Sequence, residues 1–394
     1  MNKSNILEKI LQTSWQEVKL GDICEVTTGK RPPYKQDMET SEYTIPVYGG
    51  NGIAWYTKEI LIDYPVILTG RVGTIGTIYK VEKPCWVSDN ALILKPIDVD
   101  FDYIYYTLNL IDFTILNRGS TQPLITQTDV KNLTITIPPL EVQKKIAGVL
   151  SALDDKIELN NKINQNLELQ AQALFKSWFV DKTNPNRKTI KAEEFFNITI
   201  GKTPPRKEPE WFSKNTNDIK WISISDMGNC GLYISDSSEY LVPDSISKFN
   251  VKIVPDNTVL LSFKLTVGRI AITDGEMATN EAIAHFGTDK KEINEYLYYY
   301  LKNFNFQTMG STSSIATAVN SKIIKSMPFV MPEKSELKDF HSVISPMFAQ
   351  IKANQRENIQ LSALRDTLLP KLMSGEIDVS KVIISADKLS FTED

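Results

Sequence analysis

Histidine and cysteine are scarce in this chain: 394 residues contain two of the first and three of the second. Two histidines, His285 and His341, are too few for a metal cluster or a supported Ser-His-Asp arrangement. Cys24, Cys85 and Cys230 are odd in number and widely spaced, so neither a disulfide framework nor a zinc-ligand spacing is present. No apolar run approaches the length of a membrane span, and the first residues carry no signal-peptide pattern, so a cytoplasmic location is expected. An excess of positive charge is also missing. The net charge is −4, and any basic surface must therefore be local and offset elsewhere, as by the acidic last twenty residues. Apolar content of 42% and charged content of 23% fit an ordinary globular protein of this length with more than one domain.

What the chain does have is a repeat. The phrase TGKRPPY at 28–34 returns as IGKTPPR at 200–206, 172 positions later. The match continues in order: Arg71 with Lys264, Gly76 with Gly268, Asn90 with Asn280, YIYYTL (103–108) with YLYYYL (296–301), Gly119 with Gly310 and Pro138 with Pro332. This ordered series marks a tandem duplication. The offset grows from 172 to 193 between Gly29 and Arg71, so the second copy holds about 21 extra residues between Gly201 and Lys264. Insertions on a shared scaffold usually map to loops that bind something.

Each copy begins β-rich, with short runs such as YPVILTG, ALILKP and TVLLSF punctuated by Gly, Pro and Asp. The Tyr-rich segment near its end reads as a core helix, because its aromatics recur at i, i+3. Each copy closes with a long helix. In the first, apolar positions alternate by four and three at Ile146, Leu150, Leu153, Ile157 and Leu167, with Asn160 and Asn164 on the same seam. The second repeats the seam at Phe340, Ile344, Met347, Ile351, Asn354, Asn358 and Leu361, every position offset by 194. That is a coiled-coil register, in which buried Asn lowers stability and fixes register. The expected architecture is α+β: two homologous β-rich domains separated by two long antiparallel helices in a pseudo-twofold repeat. The expected boundaries are 1–138, 139–181, 182–332, 333–375 and an acidic tail over 376–394.

The segment PPLEVQKKIAGVLSALDDKIELNNKINQNLELQAQALFKSWFVD (138–181), with GK-x-P, YGGNG and RVGTIG, closely resembles the specificity subunits of type I restriction-modification systems. The resemblance implies two target-recognition domains, each reading one half of a split double-stranded DNA site. It implies helices that space them and dock two methyltransferase subunits and, through these, two restriction subunits. S-adenosylmethionine, ATP and magnesium would belong to those partners.

The residues themselves argue against chemistry in this chain. RPPY at 31–34 is not a methyltransferase motif, since Arg31 cannot accept the hydrogen bond of a target amino group. It reads as a turn, with Pro fixing φ and Gly in a left-handed position. GxxGxxG at Gly70, Gly73 and Gly76 has neither Walker nor Rossmann spacing and reads as a close-packed turn. Candidate DNA contacts are the polar groups beside the duplicated turns. In the first copy these are Lys30, Arg31, Lys35, Arg71, Thr121 and Gln122. In the second they are Lys202, Arg206, Lys207, Lys264, Ser313 and Ser314. Trp178 and Phe179 either close the seam or belong to a partner-docking surface. A non-catalytic protein-interaction scaffold with two binding domains is the alternative that these residues leave open.

Overall fold

The computed structural model describes residues 15–119, 121–182, 184–264, 266–309 and 320–379, together with the strands Val382–Ser385 and Lys388–Phe391. They fall into two compact units, one within Met1–Lys156 and Leu361–Asp394, the other within Ile157–Gln360. Each long helix contributes to both units, so the division does not follow the domain boundaries expected from the sequence.

In the first unit an antiparallel sheet runs Cys24–Thr28, Ala91–Pro96, Val66–Gly70, Ile78–Val81. Val66–Gly70 is buried at every position, as an inner strand covered on both faces must be. Cys24–Thr28, at the edge, alternates buried and exposed. A smaller sheet holds Gly52–Thr57, Ile45–Gly49 and, parallel to the latter, Trp86–Val87.

The second unit repeats the plan. Its main sheet runs Asn197–Ile200, Ile283–Gly287, Val259–Ser262, Ile270–Thr273, Tyr233–Ile234. Even the register recurs: Thr27 faces Ile93, which faces Leu68, while Thr199 faces His285, which faces Leu260. Its smaller sheet pairs Ile219–Ile222 parallel with Ala278–Thr279. Much of the extra sequence forms the short elements Ile224–Asn229, Tyr233–Ile234, Tyr240–Leu241 and Pro243–Phe249. Part of it packs instead of standing free as a binding loop. The Gln355 side-chain amide donates to Tyr233 O and accepts from Tyr233 N, both at 3.0 Å, in the manner of a β-bridge.

The Tyr-rich segments are core helices, Phe101–Asn109 and Asn294–Asn303, with Tyr103, Tyr106, Tyr296 and Tyr299 buried. The long helices span Leu140–Phe175 and Lys334–Met373, 36 and 40 residues. Glu141 in the first turn suits the positive helix end. Buried Gln143 fixes that end by accepting from Asp100 N (2.9 Å) and donating to Pro138 O (2.8 Å).

The heptad seam is present as expected. Ile146, Leu150, Asn160, Asn164, Phe340, Ile344, Ile351 and Asn354 are buried, and Leu153, Ile157, Leu167, Met347, Asn358 and Leu361 half-buried. Within the second unit the helices run antiparallel. Asn160 Nδ2 donates to Asn358 Oδ1 (2.9 Å), and Asn354 Nδ2 donates to Asn164 Oδ1 (2.8 Å). Exchanging the copies turns one bond into the other pair of residues, as a pseudo-twofold relation requires. In the first unit Asp154 accepts from Arg365 (2.7 Å) and from the Tyr106 hydroxyl (2.6 Å), tying both helices to the Tyr-rich helix.

Trp178 and Phe179 lie on a π-helical turn, Lys176–Val180, that ends the first long helix. Phe179 packs edge-on against Tyr296 and Phe340, with centroids 4.8 and 5.1 Å apart, and Trp178 lies 5.9 Å from Phe340. Both rings thus pack on the seam residue Phe340 and remain half-buried. Arg187, which the sequence reading passed over, completes this end. Its guanidinium donates to Trp178 O (2.9 Å) and Phe179 O (3.2 Å), filling carbonyls left without helical partners, and pairs with Glu336.

Candidate nucleic-acid interface

The duplicated GK-x-PP phrase is the root of an arm in each globule. Gly29 N donates to Ala91 O (3.2 Å) and Lys30 N to Val87 O (2.8 Å). In the second globule Gly201 N donates to Ile283 O (3.1 Å) and Lys202 N to Thr279 O (2.9 Å). The glycines are needed for proximity. A Cβ on Gly29 would lie 2.2 Å from Ser88 O, and one on Gly201 would lie 2.1 Å from Asn280 O. Neither glycine is among those with positive φ, so the left-handed turn expected from the sequence is corrected to close backbone packing.

Beyond the root the first arm is open. Lys30, Arg31 and Lys35 are exposed, and Lys30 and Arg31 have no ion-pair partner among the described residues. The Lys35 ammonium sits 3.8 Å above the Trp55 ring. Farther along, Tyr34 is 54% and Met38 78% exposed.

The Val87–Asn90 segment joins this root to the next cluster, for Asn90 O accepts from Arg71 N (2.8 Å). Arg71 O in turn accepts from Ile125 N (3.0 Å), and Gly73 N donates to Pro123 O (3.0 Å), which brings exposed Thr121 and Gln122 beside the Arg71 strand. Arg71 is half-buried, and its Nε has no hydrogen-bond partner among the described residues. Gly73 and Gly76 have φ of +77° and +78°, and a Cβ on Gly70 would meet Thr74 O at 1.9 Å. GxxGxxG is thus a close-packed turn, as read from its spacing. A recess of about 240 Å³ between these parts is lined by Gly49, Gly50, Asn51, Val72, Thr74 and Asn90.

The second arm is fastened down. The Arg206 guanidinium grips Glu239 through two hydrogen bonds (3.1 and 2.9 Å) and lies over the Phe212 and Trp221 rings at 4.0 and 4.6 Å. At Arg206 two guanidinium donors are thus engaged by Glu239, so it is not the free cation that the sequence suggests. Lys202 and Lys207 stay exposed without ion-pair partners among the described residues, and Lys264 is exposed at the end of Val259–Ser262. Ser313 and Ser314 lie outside the described residues.

The globule is tied to the second long helix by Asp274, which receives Arg356 Nε (2.8 Å) and Lys352 Nζ (3.0 Å). Burial alone would raise the Asp274 pKa, but hydrogen bonds from Arg356 and Lys352 outweigh it and hold the carboxyl below its ordinary value. Both histidines are structural. His285 bridges the Thr199 and Thr279 hydroxyls at 2.8 and 2.7 Å, and burial lowers its pKa to about 4. His341 pairs with Glu295. Among the described residues no His/Cys/Asp/Glu group is arranged to hold a metal, and no helix is long and apolar enough to cross a membrane.

Sequence reasoning missed Trp86, Trp221 and Arg187, which donate to the backbone carbonyls of Lys30, Lys202 and Trp178. The two tryptophans stand on non-equivalent strands of the two copies.

The family profile described as "Type I restriction modification DNA specificity domain" matches residues 12–169 and 185–363. A type I restriction enzyme specificity subunit of Haemophilus influenzae is 27% identical, over 66% of this chain and 72% of its own length. One from Methanocaldococcus jannaschii is 26% identical over 93% and 94%. The crystal structure of a type I restriction-modification S subunit from M. genitalium shares the fold, with a TM-score of 0.57 at 18% identity, covering 91% of this chain and 96% of that one. With a profile match in each copy, and with the duplicated globules and paired helices of the fold, this chain belongs to the family of type I restriction-modification specificity subunits, the non-catalytic subunits that recognise DNA.

Proposed function

We propose that this chain recognises a bipartite, asymmetric double-stranded DNA site, one half through each globule. The observation that carries the reading is the duplicated arm. Both globules root a cation-bearing segment by the same backbone bonds, yet the first segment is open and the second is clamped by Glu239. Equal roots support a common mode of approach, and unequal tips support different half-sites. Lys30, Arg31, Lys35, Lys202 and Lys207 supply phosphate contacts, while Arg71, Thr121 and Gln122 face bases, Gln being suited to adenine. The long helices dock two methyltransferase subunits and, through them, restriction subunits. Exposed Leu159 and Ile163, one turn apart, offer part of that surface. S-adenosylmethionine, ATP and magnesium act in those partners, and the assembly works in the cytoplasm.

The test is domain replacement. Exchanging residues 190–330 for the equivalent domain of a relative should change one half-site selected from a random duplex library and leave the other. A change in both would refute the two-reader assignment. Methyl transfer by the purified chain, free of any partner, would refute the division of labour.

A further inference from the structure

In the first globule the Trp86 indole donates to Lys30 O at 2.6 Å; in the second the Trp221 indole donates to Lys202 O at 3.2 Å. The acceptors are equivalent, being the lysine carbonyls of the duplicated phrase. The donors are not. Trp86 stands on the short strand whose next residue, Val87, accepts from Lys30 N, and it faces Val47 across a parallel ladder. The corresponding pair in the second globule is Ala278 and Trp221, where Thr279 accepts from Lys202 N. The indole has therefore changed strands between the copies, with a small apolar residue left opposite in each case. Both rings are buried, 7% and 2% exposed.

A bond to the same carbonyl supplied from either side of a ladder identifies the bond, not the tryptophan position, as what the arm requires. Resting on the recognition role proposed above, we infer that Trp86 and Trp221 are positioning residues for DNA readout. Each locks the carbonyl at the root of its arm and so sets the direction in which Lys30, Arg31 and Lys35, or Lys202 and Lys207, leave the globule. The indoles themselves touch no DNA. Gly29 and Gly201 are close-packed on the adjacent backbone, and the indole bond adds a restraint on the lysine carbonyl that follows each.

The full-length chain carrying Trp86→Phe keeps an aromatic ring and loses the donor. In selection from a random duplex library, its preference for the half-site read by the first globule should fall about fivefold, the worth of one hydrogen bond. Preference for the other half-site should be unchanged. Trp221→Phe should show the reverse. The pair Val47→Trp with Trp86→Ala copies the arrangement of the second globule and should recover the preference that Trp86→Ala alone loses. Unchanged selection by Trp86→Phe would overturn the inference. Loss of both half-sites together would also overturn it, since that is general unfolding. So would failure of the paired variant to recover anything. A wild-type chain that selects no sequence would instead refute the recognition role itself.

Discussion

Replacing Asn354 by Leu should destabilise the second unit, and replacing Asn164 as well should restore it. Asn354 is 4% exposed and Asn164 7%, and one hydrogen bond of 2.8 Å joins them. Asn354 Oδ1 also accepts from Gln350 at 2.7 Å. Asn354→Leu strands the Asn164 carbonyl in a closed seam, where an unsatisfied polar group costs about 2 kcal/mol. Asn164→Leu strands the Asn354 amide and should cost somewhat less, about 1 kcal/mol. The double variant removes both polar groups and puts leucines at seam positions, so its net change should be near zero. The coupling between the sites is then about 3 kcal/mol, the upper range for residues in contact. Because the protein has two units, whole-chain melting is a poor probe. Hydrogen exchange of the amides between residues 157 and 175 reads the opening of this helix directly. Additive losses, with coupling below about 0.5 kcal/mol, would refute the antiparallel asparagine pairing as the source of register.

Three further outcomes follow from other sites. His285 stays neutral in the folded protein down to about pH 4, whereas the unfolded chain takes up its proton near 6.5, so stability is lost as pH falls through that window. The second unit should be weaker by about 2 kcal/mol at pH 5 than at pH 7 on this account, and His285→Ile should remove that part of the slope in hydrogen exchange. Gly29→Ala should destabilise the first unit by about 2 kcal/mol in the same assay, since the obstructing atom is the backbone oxygen of Ser88 and cannot swing away. Seven residues added to each long helix lengthen it by about 10 Å, roughly three base pairs, and the preferred gap between selected half-sites should lengthen while their sequences stay the same.

The seam was legible because its determinants are local. Period and side-chain type along one stretch place Ile146, Leu150, Asn160 and Asn164 on one face, and the repeat at 194 supplies the partner. The duplicated glycines were legible as important, but their reason was not. Left-handed φ is the common cause for glycine in a turn, and only the position of Ser88 O shows that proximity is the cause here. Arg206 looked like a free cation because Glu239, its partner, is 33 residues away in sequence. Asp274 with Lys352 and Arg356 is a still longer-range pair. Such contacts depend on how elements pack, which composition and period do not encode.

The two tryptophans show why comparing the copies residue by residue understates what they share. Matched through the strand pairing, Trp86 falls opposite Ala278 and Trp221 opposite Val47, and each match taken singly looks like simple divergence. Placed in the ladders, they are one hydrogen bond made from two sides. The backbone at the arm root is thus held alike in both copies by whichever side chain reaches it, while the tips differ. In the first arm Tyr34 and Met38 are exposed; in the second, Arg206 lies on Phe212 and Trp221 and is bound to Glu239. Under the proposed recognition role, a shared root with unlike tips lets the surface offered to bases differ between the globules while the mode of approach stays the same. Two such arms with different tips cannot favour a palindrome, because the same contacts would have to serve two unlike surfaces. The asymmetry of the proposed site therefore follows from the difference between the tips, and the direction in which the chain lies on DNA follows from the asymmetry.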